Sequence, residues 1–368
     1  MSRNFALPLV CLVLLIAPVS AFGQSTPTPQ ELQQQVEDLR RQVEALRQEV
    51  EVLRRPQSPA PAPAPVPRPS TMAIPAPQIY GYLQSQFEDV NGNRSRFFVR
   101  RARIGVRGSL PEQFTYAAQI DATASTGLLR DAYLERTLGA AGALRFGQFK
   151  VPFGVEGYLS SSVIPTIERT FVTEEVFHER DSGLQYQTPH GPEQWAQLAV
   201  GVFNGRGRNQ FGPQAHKLVV GRLQLNTPKS RPLLGGQLSV GLSGQVGESN
   251  NLTAKREEGE AFGVDAQYVR RRLTLRGEWL TGKRDGARPS GWYALGVYRL
   301  TPAVEAVLRY DTLDDDLPGT EDARRTTVGL NYYFSRLTRL MLNYEFIGGR
   351  PPESIRSGLR VRLQTLFP

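Results

Sequence analysis

Residues 304–311, VEAVLRYD, alternate apolar and polar side chains, and residues 339–346, RLMLNYEF, repeat this pattern further along the chain. A period of two is typical of a β-strand with one apolar and one polar face. A soluble β-sandwich or β-helix alternates in the same way. Here, however, charged residues occupy the polar face in strand after strand, where a sealed core would not tolerate them. The pattern therefore favours strands with one face against lipid and one against a water-filled lumen.

Sixteen segments of this kind are predicted, and most of them are about ten residues long, which suits a tilted spanning strand. They begin near residues 79, 97, 114, 128, 143, 183, 195, 217, 237, 261, 272, 291, 303, 325, 339 and 357. Aromatic residues often end the apolar face, as an interfacial girdle requires. We therefore predict an all-β fold, a 16-stranded antiparallel transmembrane β-barrel over residues 78–368, preceded by a short N-terminal coiled-coil helix.

The composition excludes several other classes of protein. The chain has 368 residues, 40% of them hydrophobic, a formal net charge of +9 and a single Cys. One Cys cannot form a disulfide scaffold within the chain. After the N-terminus no apolar run reaches the roughly 18–20 residues of a spanning helix, which excludes a helical membrane bundle. A basic chain could bind nucleic acid, but arginines dispersed along many strands after an export signal argue against it.

The first 23 residues are typical of a secretory signal peptide. Arg3 is followed by the apolar stretch 5–19, FALPLVCLVLLIAPV, and by Ala21-Phe22-Gly23 as a cleavage site. A membrane anchor is the alternative, but the apolar run is short and is interrupted by prolines. The chain would then be exported to a Gram-negative-type envelope, with the barrel in the outer membrane and the segment after the signal in the periplasm.

Residues 24–55 contain a heptad pattern, and residues 56–77 are rich in Pro and Ala. Valine and leucine alternate as a and d residues at Leu32, Val36, Leu39, Val43, Leu46, Val50 and Leu53. This seam predicts a coiled coil and hence self-association, and Val at a with Leu at d favours two strands. A lone amphipathic helix is the alternative. The segment 56–77 is predicted to be an extended, semi-rigid linker.

The segment Phe97–Leu110, FFVRRARIGVRGSL, carries the most charge on one face. Odd positions place Arg101, Arg103 and Arg107 toward the lumen, even positions from Phe98 onward face lipid, and Arg100 falls on the wrong face, near a rim. The same alternation directs further arginines inward: Arg145, Arg222, Arg276, Arg299, Arg309, Arg360 and Arg362. Rows of arginine in a pore favour anions, and each guanidinium suits a phosphate.

Carboxylates also face inward by this alternation, and they leave a second interpretation open. These residues are Asp121, Glu135, Asp265, Glu278, Glu305, Asp311 and Glu345. If they pair with the arginines, the charges are structural and the pore is water-filled without being anion-selective.

Residues 150–183 interrupt the strand pattern and are too long for a turn. Long loops in compact structures are usually functional or disordered, and the Phe, Val and Ile content argues against disorder. We predict an inward-folded constriction loop, with an ordered loop on the barrel rim as the alternative. The candidate residues of the constriction are Lys150, Glu168, Arg169, Arg180 and Asp181.

Several of these segments together resemble the phosphate-selective porin family, porins O and P. The resemblance lies in the runs RRARIGVRGSL (100–110), RDAYLER (130–136), LRFGQFKVPFGVE (144–156), SSSVIPTIER (160–169, with IER at 167–169) and GVFNGRG (201–207). It implies a trimeric 16-stranded outer-membrane barrel whose third loop enters the channel and which passes phosphate or polyphosphate along an arginine ladder. By this resemblance Arg101, Arg103 and Arg107 belong to that ladder.

The predicted function is an outer-membrane porin for passive diffusion of small anions, with phosphate the leading candidate. The expected partners are outer-membrane lipid, small anions and further copies of the chain, a trimer by the resemblance. A non-selective porin whose residues 24–55 tether the membrane to the cell wall is the alternative. A barrel-embedded hydrolase is a weaker one, since no nucleophile and base stand out. We expect no enzyme activity, no cofactor, no metal site and no nucleic-acid binding.

Overall fold

The computed structural model describes residues 29–54, 75–90, 94–176, 179–191, 193–210, 217–249, 257–283, 286–319, 321–351 and 356–367. The predicted signal peptide, residues 1–23, lies outside them, as does most of the predicted linker. The chain divides into two units, residues 1–71 and 72–368.

The described part of the second unit forms a closed barrel of 16 antiparallel strands. The barrel strands are β1 (Gln78–Val90), β2 (Arg94–Leu110), β3 (Phe114–Asp121), β4 (Leu129–Thr137), β5 (Ala143–Lys150), β6 (Arg180–Gln187), β7 (Ala196–Phe203), β8 (Leu218–Asn226), β9 (Gln237–Val246), β10 (Ala261–Arg270), β11 (Leu273–Gly282), β12 (Ser290–Thr301), β13 (Val304–Leu313), β14 (Ala323–Tyr333), β15 (Thr338–Gly348) and β16 (Gly358–Phe367). Each begins within three residues of its predicted start, so the predicted barrel is confirmed.

Each strand pairs with the next in sequence, and β1 pairs with β16 to close the barrel. The closing pair runs in register from Gly81 opposite Phe367 to Val90 opposite Gly358. A two-stranded sheet of Glu248–Ser249 and Glu257–Glu258 lies in the connection between β9 and β10. Closure leaves no unpaired strand edge, which is the condition for a sheet to cross lipid.

The outer face of the barrel is apolar. Large hydrophobic side chains are exposed there in strand after strand, among them Leu275, Trp292, Leu308, Val328 and Leu342. Aromatic side chains lie toward both ends: on β12, Trp292 and Tyr298 are six residues apart, about 20 Å along the strand. An apolar band between two aromatic girdles is typical of an outer-membrane barrel. Among the described residues, no helix is both long and apolar enough to cross a membrane.

The two ends of the barrel differ in their connections. At one end, which we call the short-turn end, residues 111–113, 271–272 and 302–303 join neighbouring strands, and β1 begins there. At the other end, which we call the long-loop end, β5 and β6 are joined by residues 151–179, which include the short helix α2 (Phe171–Val176). Outer-membrane barrels have short periplasmic turns and longer extracellular loops.

Residues 151–176, here called the inner segment, pack against inward-facing side chains of the barrel. Phe153, Phe171 and Val172 are buried in one hydrophobic cluster with strand residues such as Phe203 and Leu280. The inner segment also forms hydrogen bonds with inward-facing polar side chains of strands around the barrel, from β1 to β16. The larger buried hydrophobic cluster of the described residues is therefore the contact between the barrel wall and the inner segment, and a smaller one, Tyr293, Leu295 and Val307, consists of strand residues alone.

The first unit contains a single described helix, α1 (Pro29–Arg54). It covers most of the predicted coiled-coil segment. Four residues of the predicted seam are exposed by 46–60% of their surface in the single chain: Val36, Leu39, Val43 and Leu46.

Candidate functional site

A β-bulge in β2 changes which side chains face the lumen. Gln84 of β1 lies opposite Arg101, and the next residue, Ser85, lies opposite Val99, so Arg100 is the additional residue of the bulge. An inserted residue reverses the alternation beyond it. As a result Phe97 is 84% exposed on the outside, whereas Phe98 lines the lumen next to Arg101.

This bulge corrects two of the sequence-based expectations. Phe98 was expected to face lipid, and Arg100 was expected to lie near a rim on the wrong face. Instead both residues line the same lumenal cavity as Arg101 and Arg103. The bulge thus adds a guanidinium to the inward row that a regular strand would have turned away from it.

The cavity beside this bulge, here called the anion chamber, has a volume of about 490 Å³. Its lining includes five arginines and two carboxylates: Arg100, Arg101, Arg103, Arg130, Arg208, Asp121 and Glu179. Because the guanidinium groups outnumber the carboxylates, the chamber carries a surplus of positive charge. Such a surplus attracts anions and repels cations.

The two carboxylates of the chamber pair with three of its five arginines. Asp121 lies 3.0 Å from Arg103 Nε and 3.1 Å from a guanidinium nitrogen of Arg130. Glu179 lies 3.5 Å from Arg130 and 3.7 Å from Arg208. Burial raises the pKa of Glu179, but Arg180 and Lys150 outweigh it and bring that pKa to about 2. This carboxylate therefore stays ionised at ordinary pH.

Arg101 differs from the other arginines of the chamber in the group that its guanidinium binds. A guanidinium nitrogen of Arg101 donates to Gln84 Oε1 at 3.0 Å, and no carboxylate of the described residues lies within ion-pair distance. Among the described residues, Arg101 therefore has no direct ion-pair partner.

Arg107 lies nearer the short-turn end, in a second cavity of about 400 Å³. Its guanidinium carbon lies 5.0 Å from the centroid of the Tyr80 ring, and its Nε donates to Gln78 Oε1 at 3.2 Å. The same cavity is lined by Tyr133 and Ala117. Of the three arginines assigned to a ladder, two therefore line the chamber and the third lines this second cavity.

The other predicted pore arginines are bound to partners on the barrel wall. Arg145 lies 2.6 Å from Glu135, Arg222 donates to both oxygens of Asp265, Arg276 donates to Gln267 at 2.8 Å, Arg299 lies 2.7 Å from Glu305, and Arg360 pairs with Glu345. None of these arginines lines the chamber. Four of these five arginines have a carboxylate partner, as the structural interpretation of the inward charges expects, whereas Arg276 binds the side-chain oxygen of Gln267.

Arg309 and Arg362 are enclosed between the wall and the inner segment, with 0% of each side chain exposed. Arg309 lies 3.1 Å from Asp311 and donates to Thr166 at 2.8 Å. Arg362 lies 2.9 Å from Glu168. These two arginines fasten the inner segment rather than face open solvent.

The predicted constriction residues have different environments. Glu168 lies 3.4 Å from Arg100 and accepts a hydrogen bond from Gln86 at 3.2 Å. Burial raises the pKa of Glu168, but Arg362 and Arg100 outweigh it and hold that pKa well below its ordinary range. Glu168 is therefore an ionised contact between the inner segment and the edge of the chamber.

The remaining constriction candidates form hydrogen bonds or ion pairs that fix the inner segment and the neighbouring connections. Lys150 Nζ donates to the carbonyl of Gly157 at 2.7 Å, and Arg169 donates to the carbonyl of Leu159 at 2.7 Å. Arg180 lies 3.0 Å from Asp131. Asp181 is fully buried and accepts from the amides of Ser182 and Gly205.

Sequence reasoning did not single out three residues of the chamber as site residues: Arg130, Arg208 and Glu179. Arg130 lies at the start of β4, where the alternation is poor, and Arg208 and Glu179 lie in connections, which have no periodicity. Only their position beside an arginine-rich strand in the folded barrel identifies them. In the described residues, no group of three or more His, Cys, Asp or Glu side chains could hold a metal ion.

A closed 16-stranded barrel with an apolar exterior and a charged interior defines an outer-membrane porin, a channel rather than an enzyme. The family model of phosphate-selective porins O and P matches residues 79–350. The chain belongs to this family, as its sequence resemblance implied.

Solved structures of porins share the fold at low sequence identity. An anion-selective porin from Comamonas acidovorans has 15% identity and a TM-score of 0.57, covering 79% of this chain and 99% of that one. OmpT of Vibrio cholerae in its trimer form has 13% identity, a TM-score of 0.57 and the same coverage. The outer membrane channel DcaP of Acinetobacter baumannii has 13% identity and a TM-score of 0.54, covering 79% and 97%. No curated protein matches the chain.

Proposed function

We propose that this porin conducts small anions by passive diffusion, with phosphate the leading candidate, along one side of the lumen. The observation that carries this proposal is the anion chamber, in which five arginines face two carboxylates. The proposed route follows β2 from the chamber past Arg107 to the short-turn end. Arg101, Arg103 and Arg107 line it, and the paired arginines of the opposite wall contribute to structure.

The chemistry of the arginines suits an oxyanion that must keep moving. A guanidinium offers paired N–H donors that match two phosphate oxygens. Several separate sites of modest strength permit transit, whereas one tight site would retain the ion. Arg101 and Arg107 each bind a glutamine oxygen rather than a carboxylate, so an anion meets them without displacing an ion pair.

The inner segment is proposed to narrow this route from the side opposite β2. Its Glu168 lies at the edge of the chamber in contact with Arg100. The buried cluster of the segment packs against strands from β5 to β14, so the open path is proposed to run along β2–β4, which line the anion chamber.

The N-terminal part is proposed to lie in the periplasm. The proposed organisation is a signal peptide at 1–23, a coiled-coil helix at 24–55, a linker at 56–77 and the barrel at 78–368. Because β1 begins at the short-turn end, and short turns of such barrels are periplasmic, the preceding chain would be on that side. The exposed seam of α1 supports self-association. The trimer form of a porin with this fold supports an assembly of three copies.

The same exposed seam supports a second candidate role, a tether that links the outer membrane to the cell wall. Deletion of residues 24–70 separates the two roles. Weakened envelope integrity with unchanged conductance would assign tethering to the helix.

Phosphate block of chloride current in planar bilayers tests the main proposal. Arg101→Gln and Arg107→Gln are expected to raise the phosphate concentration needed for half-block by about 10- to 100-fold each, since a hydrogen bond to a charged group contributes about 1.5–3 kcal/mol. Arg276→Gln is the matched control, because Arg276 also faces inward but binds Gln267 away from the chamber. Equal block in all three variants and the unmodified protein would refute the proposed route.

A further inference from the structure

The second cavity of the lumen differs in chemistry from the anion chamber. Arginines dominate the chamber, and its one aromatic residue is Phe98. In the second cavity a single arginine, Arg107, shares the inward-facing lining with the rings of Tyr80 and Tyr133. An aromatic lining beside one cation indicates a ligand with an apolar, flat part as well as a negative charge.

The strand register builds a cleft in this cavity. Arg107 of β2 lies opposite Ala117 of β3, and Ala117 lies opposite Tyr133 of β4. Because neighbouring strands are about 4.8 Å apart, Arg107 and Tyr133 rise about 10 Å apart from the wall. The short side chain of Ala117 lies between them. These three residues define what we call the aromatic cleft, with Ala117 as its floor.

Both sides of the aromatic cleft are held by stacking. The guanidinium of Arg107 lies against the Tyr80 ring at 5.0 Å, and the guanidinium of Arg145 lies against the Tyr133 ring at 4.4 Å. Arg145 is in turn held by Glu135 at 2.6 Å. Stacking and ion pairing fix the orientation of flat groups before a ligand arrives, which reduces the entropy lost on binding.

The two sides of the cleft present different groups to a ligand. Arg145 already has its carboxylate partner, so Tyr133 offers an aromatic face backed by a neutralised pair. Arg107 binds only the side-chain oxygen of Gln78 among the described residues, so it keeps donors for an anion. A carboxylate and an attached ring would be matched by Arg107 and Tyr133 respectively.

We propose that the aromatic cleft is a binding site for small anions that carry an aromatic ring, that is, aromatic carboxylates. The ring stacks on Tyr133 above Ala117, and the carboxylate binds the guanidinium of Arg107. The site retains such anions longer than ringless anions of equal charge. This inference rests on the proposed function, because the ligand reaches the cleft along the proposed anion route.

Block of chloride current by benzoate and by acetate tests the inference, since the two probes share a carboxylate and differ in the ring. In the unmodified protein, benzoate is expected to block at about 3- to 10-fold lower concentration than acetate. This is the gain in affinity expected from one ring-stacking contact. Tyr133→Leu and Ala117→Leu, the second of which fills the floor, are each expected to bring the two probes within about twofold of each other.

Tyr333→Leu is the matched control. Tyr333 is a half-buried tyrosine near the short-turn end of β14, where its hydroxyl binds Glu305 at 2.8 Å, and it does not line the cleft. The benzoate preference is expected to persist in this variant. Loss of preference in Tyr333→Leu, or its persistence in both cleft variants, would overturn the inference.

The zero-current potential in a KCl gradient, measured in the same bilayers, separates this inference from the proposed function. A preference for chloride together with equal block by benzoate and acetate refutes the aromatic cleft and leaves the anion pore standing. A preference for potassium refutes the anion pore itself.

Discussion

Glu168 of the inner segment and Arg362 of β16 form an ion pair of 2.9 Å that is enclosed in the lumen. The same carboxylate lies 3.4 Å from Arg100 at the bulge of β2. One side chain of the inner segment thus joins the last strand of the barrel to the strand that lines the anion chamber. It also cancels part of the positive charge at the edge of that chamber.

Glu168→Gln is therefore expected to increase anion preference. The substitution keeps the size of the side chain but removes one negative charge beside Arg100. A unit charge acting at about 4 Å through water contributes about 1 kcal/mol, with opposite sign for chloride and potassium, so the chloride-to-potassium permeability ratio should rise at least about fivefold. Zero-current potentials measure the ratio. A ratio that stays constant or falls would show that Glu168 does not act on the permeating ions.

Arg339→Met is expected to loosen the inner segment. Arg339 is buried and donates to the carbonyls of Ser162 and Ile164 at 2.8 and 3.0 Å. Loss of these bonds leaves two buried carbonyls without this donor, at a cost of about 2–4 kcal/mol. Open-channel current noise and protease cleavage within residues 157–165 should both increase. Arg276→Met serves as the control, and equal noise in the two variants would count against the predicted role of Arg339.

The bulge at Arg100 can be tested by cysteine accessibility in a Cys11→Ser background. Phe98→Cys should react with a charged, water-soluble thiol reagent and lose conductance, because Phe98 lines the chamber. Phe97→Cys, one residue away, should not change conductance, because Phe97 lies on the outer face. The reverse pattern would mean that β2 is a regular strand and that the sequence-based assignment of Phe98 to the lipid face was right.

Between about pH 8 and about pH 5, anion preference is expected to change only through Glu174 of the inner segment, whose pKa burial raises to about 7, and not through Glu168 or Glu179. The depressed pKa values of Glu168 and Glu179 mean that folding favours their ionised forms. A carboxylate of this kind keeps its charge, and its contribution to stability, until pH falls toward its folded pKa, which is about 2 for Glu179. In a Glu174→Gln variant the permeability ratio measured in bilayers should therefore stay constant across this window, and a change of the ratio in that variant would contradict the assignment of Glu168 and Glu179.

Val43→Asp and Leu46→Asp should dissociate the protein into smaller assemblies. Both side chains belong to the exposed seam of α1, and a charge at an a or d position opposes burial in a coiled coil. Mass measurement of the full-length protein in detergent reports the oligomeric state. Gln42→Asp, which lies outside the seam, is the control. An unchanged mass in the seam variants would assign oligomerisation to the barrel alone.

The barrel could be predicted from sequence because lipid imposes a simple rule on every strand. Apolar residues such as Leu308 must alternate with polar residues such as Arg309. Each strand can therefore be located from its own residues, even when its neighbours in the sheet are unknown. Strand starts were therefore close to their observed positions even where the pairing partners were unknown.

The site was only partly predictable because it depends on relations between distant residues. The bulge at Arg100 inserts one residue without any signature in composition, and it reverses the side of Phe98. Arg309 and Arg362 have the same alternation as Arg101, yet the inner segment covers them. Arg208 lies in a connection and joins the chamber only through the folded shape of the barrel.

The zero-current potential across a planar bilayer with a KCl gradient is the most direct measurement of ion preference. Because positive charge is in excess in the anion chamber, we expect the zero-current potential to have the sign that chloride permeation produces. Addition of phosphate should then reduce the chloride current. A potential of the sign set by potassium would contradict the anion pore, whatever the arginine variants show.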